Sequence, residues 1–488
     1  MPYKWRALLA VAFGTYMATM DFSIVNVALP TLSREFDQPA DVVVWATLVS
    51  SLTVTGLTLT AGRAGDLFGR KRIYIAGWVI FTIGMAIASL AQSIEQLIVM
   101  RLFQAVGVSL AIANGNAIVT SAFPDSERGK ALGITGGVVG AGLMSGPILG
   151  GLILEFFNWH ALFYLRVPIG LIAMTMAFLL IHETEAPASQ RRRLDIPGAI
   201  AIFFSLSAAL LAVNRGREWG WDSPAVLGLF AVSAVALALM IRIESRVESP
   251  VLSLDLFKAR SFSVGVGSLA LNFLGQSAVT FLMPFYLIRV RDFSTAETGL
   301  IIATVPCCML LLSPFSGSLS DRVGWRHQPT AGIALVSVGL LSLATLEAGT
   351  PVPLIVVRLM LIGIGTSIFM SPNSSQIMGA VPRAMLGTAS ASVATARNVG
   401  NAAGLAMASA VFTAVAVSSA GVSGLDVEDL PTTALLDGIR AAFLAAGLVS
   451  MLAIAASALR EKRPEPRVLH EAALTPRPPL PTPRERGS

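Results

Sequence analysis

Long apolar runs alternate with short polar segments along the chain. Fourteen runs are long enough to cross the roughly 30 Å hydrocarbon core of a bilayer, and each predicts a transmembrane helix. Their limits are residues 8–30, 42–61, 73–91, 96–119, 131–154, 161–181, 196–213, 224–241, 262–287, 298–318, 329–346, 353–371, 386–417 and 437–459. The pattern therefore predicts an all-α, polytopic membrane protein with fourteen transmembrane helices.

The composition points to the same class. Of 488 residues, 54% are apolar and 13% are charged, and the mean hydropathy is +0.71, whereas soluble domains carry roughly 25% charged residues. The two cysteines, Cys307 and Cys308, are adjacent inside one apolar run, so neither a disulfide framework nor a metal site is expected. No spacing typical of a catalytic triad, a phosphate loop or a metal site occurs. We therefore expect that the protein binds no cofactor and is not an enzyme.

The distribution of cations predicts the orientation. Lys and Arg are concentrated in the loops on the Met1 side, and the opposite loops hold few of them. Since cytoplasmic loops retain cations, both termini are expected in the cytoplasm and the chain in the cytoplasmic (inner) membrane. The net charge of +6 is spread over the loops of one face, which argues against nucleic acid as a partner.

A short polar motif occurs twice, and it indicates an internal duplication. The copies are Gly62-x3-Asp66-x2-Gly69-Arg70-Lys71 and Gly317-x3-Asp321-x2-Gly324-x-Arg326. Arg101 in the fourth run likewise corresponds to Arg358 in the twelfth. Repeated halves are typical of transporters that work by alternating access.

The repeat divides the chain into four parts. Two six-helix halves are predicted at residues 8–182 and 261–460, separated at 183–260 by polar linkers and two inserted helices. Residues 461–488 are rich in Pro and Arg and are expected to form a disordered cytoplasmic tail.

Asp21 is the one acid inside an apolar run. A carboxylate in the bilayer core costs several kcal/mol unless it faces protein or water, so Asp21 is a candidate for the proton-coupling site. The depths of Asp21 and Arg101, counted at 1.5 Å per residue, agree, so Arg101 is its expected partner. The alternatives are a fixed ion pair that only holds helices together, and an Arg101 bonded to backbone carbonyls.

The loop motif has a mechanical interpretation. Asp66 precedes the third helix, whose positive end a negative charge suits, while Gly62 and Gly69 allow a tight turn. Arg70 and Lys71 are expected in cytoplasmic water. The alternative is a role in topology alone.

Glycines in the fifth run form a line along one helix face. Gly142, Gly146 and Gly150 follow an i, i+4, i+8 spacing, so another helix can approach closely there, and Pro147 loosens the backbone.

These motifs together resemble the major facilitator superfamily and, within it, the fourteen-helix branch of drug:proton antiporters. Asp21 to Pro30 resembles the first-helix signature of that branch, and Arg101-x2-Gln104-x2-Gly107 resembles the fourth-helix motif of the superfamily. The fifth-helix antiporter motif is matched by Gly142, Gly146, Pro147, Gly150 and Gly151, and an insertion loop typical of the branch by Trp219-Gly220-Trp221. Arg166 departs from the pattern, because the branch usually has Asn there.

The resemblance implies two pseudo-symmetric six-helix halves plus two inserted helices. It implies a cytoplasmic latch between the halves at the gating loop, made of Gly62, Asp66, Gly69, Arg70, Lys71, Asp321 and Arg326. It also implies that the fifth-helix antiporter motif is a contact between the halves.

Few polar groups lie within the apolar runs, and seven of them are candidates to line a substrate cavity. They are Asn26, Gln104, Asn116, Arg166, Gln276, Asn373 and Arg397. For Arg397, a structural role with Asn373 or backbone carbonyls is an equal alternative.

The expected function is proton-coupled antiport that exports amphipathic drugs or metabolites, as in multidrug efflux. The alternative is a facilitator or importer of a small polar solute. The expected partners are the lipid bilayer, a small amphipathic substrate and protons. The sequence leaves open the identity of the substrate and whether a periplasmic adaptor binds.

Overall fold

The computed structural model describes residues 1–183, 194–247, 250–323, 327–420 and 430–458. Parts of both predicted linkers, Arg326 of the second loop motif, and the predicted tail at 461–488 lie outside the described residues.

Within the described residues, every predicted transmembrane run forms a helix. The first six long helices are α1 (Tyr3–Glu35), α2 (Trp45–Phe68), α3 (Arg70–Ala88), α4 (Ile94–Ala122), α5 (Arg128–Phe156) and α6 (Val167–Leu180). The two inserted helices are α7 (Ile196–Trp219) and α8 (Pro224–Glu244). The last six are α9 (Arg260–Phe285), α10 (Thr304–Val323), α11 (Gln328–Leu343), α12 (Val352–Gly379), α13 (Leu386–Ala420) and α14 (Thr432–Ala458). In the part of the chain that the structure describes, thirteen spans are long and apolar enough to cross a membrane, and α11 is a shorter apolar helix.

The helix ends differ from the sequence prediction at a few places. The predicted run at 298–318 contains a short helix, Thr295–Ile302, that breaks before α10 and begins with a capping box of Ser294 and Glu297. α1 continues past Pro30 to Glu35, and α9 continues through a π-helical turn, Tyr286–Val290. Short helices at Ala40–Val43 and Ala161–Tyr164 lead into α2 and α6.

Both ends of the described chain lie at one face of the bundle, here called the Met1 face. Lys4 Nζ lies 2.6 Å from Glu127 Oε2 in the turn before α5. Ser457 Oγ, at the end of α14, lies 2.8 Å from Thr330 Oγ1 at the start of α11. The other end of the bundle is the opposite face.

Small residues allow equivalent helix pairs to approach closely in the two halves. A Cβ on Gly77 of α3 would lie 2.7 Å from Gly107 O of α4, and a Cβ on Gly332 of α11 would lie 2.7 Å from Gly365 O of α12. Lipid gives helices no hydrophobic reason to associate, so such close backbone packing supplies much of the attraction. The paired contacts agree with the duplication seen in the sequence.

The inserted helices lie at the edge of the bundle. α7 packs against α2 and α13, and α8 packs mainly against α7. Ser205 and Ser233 each donate a hydroxyl hydrogen bond to the backbone carbonyl of the other, which joins α7 to α8. On the α2 side, Ser207 Oγ donates to Leu52 O, and a Cβ on Gly56 would lie 2.6 Å from the ring of Phe203. Leu210 and Leu211 of α7 lie in an apolar cluster with Leu48 and Leu52 of α2, and Ala402 of α13 packs against it.

Candidate functional site

Asp21 lies in a buried cluster of charges in the first six helices. Arg101 Nη1 lies 2.8 Å from Asp21 Oδ2, and Arg166 Nη1 lies 2.6 Å from Asp21 Oδ1. All three side chains are at most 4% exposed. Two guanidinium groups therefore face one carboxylate, and the cluster carries an excess positive charge. The cations stabilise the ionised acid, while burial disfavours it.

Neighbouring groups orient this cluster. Gln104 Nε2 donates to Asp21 Oδ1 at 3.1 Å and Gln104 Oε1 accepts from Arg101 Nη1 at 2.6 Å. Arg101 Nε donates to Ala46 O at 3.3 Å. Arg166 Nε donates to Leu162 O. The carboxylate thus joins α1 to α4 and to the start of α6, and Arg101 joins α4 to α2.

Sequence reasoning expected Arg101 as the partner of Asp21, and the structure has this pair. It missed Arg166 as a second partner, because Arg166 was assigned to the substrate cavity. The signal was available: Arg101 and Arg166 each lie five residues into their predicted runs, so helical depth counting applies equally to both. The position in the last six helices that corresponds to Asp21 is Gln276, which donates to Thr366 Oγ1 at 3.0 Å.

A cavity of about 330 Å³ reaches the charge cluster near the opposite face. Arg101 lines it, as do Asn26 and Phe22 of α1. Asn214, Arg215 and Glu218 of the inserted helix α7 form another wall, and Asn26 and Glu218 are exposed. Water therefore has a route towards Arg101 that does not pass through the centre of the bundle.

The gating loop contacts the other half, as the resemblance implied. Asp66 Oδ1 accepts from Gly387 N–H and Asp66 Oδ2 accepts from Thr388 N–H, both at 2.8 Å, in the first turn of α13. Arg70 Nη2 donates to Asp66 Oδ1 at 2.8 Å and to Arg383 O at 2.5 Å. Asp66 therefore caps a helix of the other half.

The second copy makes the corresponding contact. Asp321 Oδ1 accepts from Gly129 N–H at 2.8 Å and Asp321 Oδ2 accepts from Lys130 N–H at 2.7 Å, in the first turn of α5. Ser371 Oγ also donates to Gly129 O at 2.6 Å. We call these two sets of contacts the latch. The latch joins the first six helices to the last six by hydrogen bonds at the Met1 face.

Several local expectations for the loop motif were wrong. Gly62 and Asp66 lie inside α2 rather than in a turn, and Gly69 alone of the motif's first copy has a positive φ, +100°. Asp66 caps α13, not the following helix α3, because α13 brings unpaired amides to its carboxylate. Arg70 is buried against the latch instead of standing in water. Lys71 Nζ lies 5.3 Å from the centre of the Phe178 ring.

The glycine line of α5 supports close packing, but its partner differs from the expected one. A Cβ on Gly142 or Gly146 would overlap Thr19 or Ser23 of α1, and one on Gly150 would lie 2.9 Å from Ile24. The antiporter motif therefore packs within its own half, and the expectation of a contact between halves was wrong. Gly151 has open space around it, and Pro147 lies inside α5.

The contact between α5 and the other half lies on another face of the helix and nearer to the Met1 face. Gly129, Gly133, Gly137 and Gly140 of α5 each approach the backbone of α10. A Cβ on Gly140 would lie 2.5 Å from Pro306 O, for example. The same helix thus carries two glycine faces, one for α1 and one for α10.

A narrow central cavity lies between the two sets of six helices, with a volume of about 70 Å³. Tyr74, Trp78 and Asn116 line it from the first half, and Ser374 and Arg397 line it from the second. None of the described residues of α7 or α8 lines it.

The sequence model of the Major Facilitator Superfamily matches residues 11–405. The chain belongs to the major facilitator superfamily. It is similar to the riboflavin transporter RibZ of Clostridioides difficile (strain 630), with 39% identity over 414 residues, which cover 84% of this chain and 89% of that protein. It is also similar to the multidrug resistance protein Stp of Mycobacterium tuberculosis (strain CDC 1551 / Oshkosh), with 31% identity over 408 residues, 83% of this chain and 75% of that protein.

Solved structures show the same fold. The crystal structure of the human organic anion transporter MFSD10 (TETRAN) matches this chain with a TM-score of 0.66 and 15% identity, covering 94% of this chain and all of that one. The predicted superfamily and fold class are thus confirmed, and the family and fold are those of transporters and not of enzymes. Membership of the fourteen-helix antiporter branch stays a prediction.

The seven residues predicted to line a substrate cavity do not lie together in one place. Asn116 and Arg397 line the central cavity, and Asn26 lines the cavity near the opposite face. Gln104 and Arg166 belong to the charge cluster. Gln276 is bonded to Thr366, and the fully buried Asn373 donates to Gly265 O at 3.1 Å. Sequence reasoning missed Tyr74, Trp78 and Ser374, although Tyr74 and Trp78 stand one helical turn apart on α3.

Proposed function

We propose that this transporter exports amphipathic drugs or metabolites across the cytoplasmic membrane in exchange for protons, with its Met1 face in the cytoplasm. The observation that carries the proposal is the buried carboxylate of Asp21, held by Arg101 and Arg166. Asp21 joins α1 to α4 and α6 through these two cations. Gaining or losing one proton at Asp21 therefore changes how strongly the three helices are held together.

Protonation of Asp21 removes the negative charge on which both guanidinium groups depend. Arg101 and Arg166 are then left as neighbouring buried cations without a counter-charge, which costs several kcal/mol. This arrangement favours separation of α1, α4 and α6. A state in which water reaches the two cations becomes more populated when the proton binds.

The packing of α5 offers a route from this event to the interface between the halves. α1 packs on Gly142, Gly146 and Gly150 of α5, and the Gly129-to-Gly140 face of α5 packs on α10. A movement of α1 therefore acts on the helix that forms part of that interface. With the proposed orientation, the closed latch lies on the cytoplasmic side, and protons reach Asp21 from outside through the cavity at Arg101.

The alternative function also has an observation in its favour. The similarity to RibZ favours a carrier of one defined metabolite over a multidrug exporter, and leaves the direction of transport open. The central cavity has hydroxyl and amide groups in its wall, which are compatible with a polar solute as well as with an amphiphile.

Transport in reconstituted vesicles tests the proposal. Riboflavin and a panel of fluorescent drugs are supplied to vesicles with and without an imposed pH gradient, for the unmodified protein and for Asp21→Asn. We expect the gradient to drive accumulation by the unmodified protein, and Asp21→Asn to lose accumulation while it still exchanges labelled substrate across the membrane at equilibrium.

The matched control is Asp125→Asn, which removes an exposed acid of the Met1 face that pairs only with Arg128 among the described residues. This variant should accumulate substrate normally. Concentrative transport by Asp21→Asn at the unmodified rate would show that the proton travels elsewhere. Equilibration of a polar solute across the membrane without any response to pH would favour the alternative, facilitated transport.

A further inference from the structure

The central cavity is lined by a cationic side chain, Arg397, that has no partner among the described residues. Arg397 lies on α13 and lines the cavity, and within the described residues it makes no hydrogen bond, ion pair or ring contact. It is eleven residues from the start of α13 at Leu386, which places it roughly 16 Å along the helix and near mid-depth. A cation at this depth is costly unless it is paired or hydrated.

The structural role considered for Arg397 is not the one that the structure shows. Asn373, the expected partner, donates instead to Gly265 O. Asp21, the acid within the core, is bonded to Arg101, Arg166 and Gln104. The described acids are therefore no source of a counter-charge for Arg397 within the cavity.

The rest of the cavity wall is largely apolar and holds a few polar groups. Trp78, Asn116 and Ser374 supply an indole N–H, an amide and a hydroxyl. Among the described residues that line the cavity, Arg397 carries the single charge and no carboxylate is present. A positively charged amphiphile would meet a like charge here, whereas a negatively charged or acceptor-rich group would pair with it.

We propose that Arg397 binds the anionic end of the substrate, so that this transporter carries negatively charged aromatic amphiphiles and discriminates against cations. Trp78, Asn116 and Ser374 donate to the remaining acceptor atoms. The cavity of about 70 Å³ admits the anionic group and must widen for the whole molecule, since pockets for drug-sized ligands span roughly 300–1,000 Å³.

This inference rests on the proposed function only in placing the substrate in the central cavity. It says nothing of proton coupling, so the two can fail separately. An equilibrium binding measurement without any gradient tests Arg397, and vesicle transport tests Asp21.

The probes are fluorescein, an anion in mildly alkaline buffer, and a rhodamine methyl ester, a cation with the same xanthene ring. Binding to the purified full-length protein in lipid nanodiscs is followed by fluorescence anisotropy. We expect the unmodified protein to prefer fluorescein. Arg397→Gln should weaken fluorescein binding about ten- to a hundredfold, as for loss of a charge-assisted hydrogen bond, and should leave or improve rhodamine binding.

Two further variants separate charge from folding. Arg397→Lys keeps the charge and should recover part of the fluorescein affinity. Arg440→Gln removes a cation of α14 that donates to Leu346 O, away from both cavities, and should change neither dye. The preference of the unmodified protein decides the case even where Arg397→Gln does not fold. Absent fluorescein binding, a preference for rhodamine, or unchanged fluorescein affinity in a folded Arg397→Gln variant would overturn the proposal.

Discussion

The latch allows a quantitative prediction, because one carboxylate serves several donors. In Asp66→Asn the amide keeps one oxygen, which can retain the bonds of Oδ1 to Gly387 N–H and Arg70. Its NH₂ group then faces the Thr388 N–H and hydroxyl that now donate to Oδ2, so these donors lose their acceptor. An unpaired buried donor costs about 1–3 kcal/mol, and the lost charge at the start of α13 costs about 0.3–1 kcal/mol more.

The sum, about 1.3–4 kcal/mol, should move the equilibrium between closed and open latch by roughly 10- to 700-fold, since 1.4 kcal/mol corresponds to a factor of ten. Asp321→Asn should act similarly on Gly129 and Lys130. The two sites share no partner, so the double variant should show nearly the sum of both effects.

Pulsed electron spin resonance distances measure the latch directly. Spin labels at Ser126 and Ala384, exposed positions before α5 and before α13, report the separation of the halves at the Met1 face. Cys307 and Cys308 are first replaced by alanine. Asp66→Asn should enrich long distances, and the double variant more so, whereas Asp125→Asn should match the unmodified protein. Distance distributions that stay the same in the double variant would refute this account of the latch.

Two further predictions follow from the packing and the charge cluster. Gly146→Ala should lower the free energy of unfolding by about 1–3 kcal/mol, and hence the thermal unfolding temperature, because its Cβ would overlap Ser23. Gly151→Ala, whose Cβ meets open space, should leave the unfolding temperature unchanged. Equal unfolding temperatures for the two variants would contradict the α1 contact. Arg166→Gln removes one of two cations that hold Asp21 ionised, so half-maximal gradient-driven export in vesicles should shift to higher pH; an unchanged or acid-shifted profile would separate Arg166 from the proton site.

Sequence patterns carried the fold further than the site. Hydropathy gives all fourteen helices because the bilayer imposes a length and a polarity on each, independently of what they contact. The same rule is silent on breaks such as the one between Thr295–Ile302 and α10, where an apolar run is interrupted without a charged residue to mark it.

The site was predicted where depth alone decides it. Asp21 and Arg101 were paired by counting residues along their helices, and the structure has that pair. The acceptor role of Asp66 could not be found in this way, because its partners Gly387 and Thr388 are main-chain donors more than three hundred residues away. The glycine line at Gly142 showed that a helix approaches, but a smooth helix face does not specify which one.

The insertion has a mechanical consequence. α7 is fixed to α2 by the Ser207 hydrogen bond and by the ring of Phe203 lying against Gly56. The apolar cluster around Leu210 also contains Leu48 and Leu52 of α2, whereas α13 adds one residue to it, Ala402. Directional bonds and close backbone packing resist shear, and an apolar surface does not. When the halves rock, α7 and α8 should therefore travel with the first six helices and slide over α13. The moving bodies of this transporter then consist of eight helices against six.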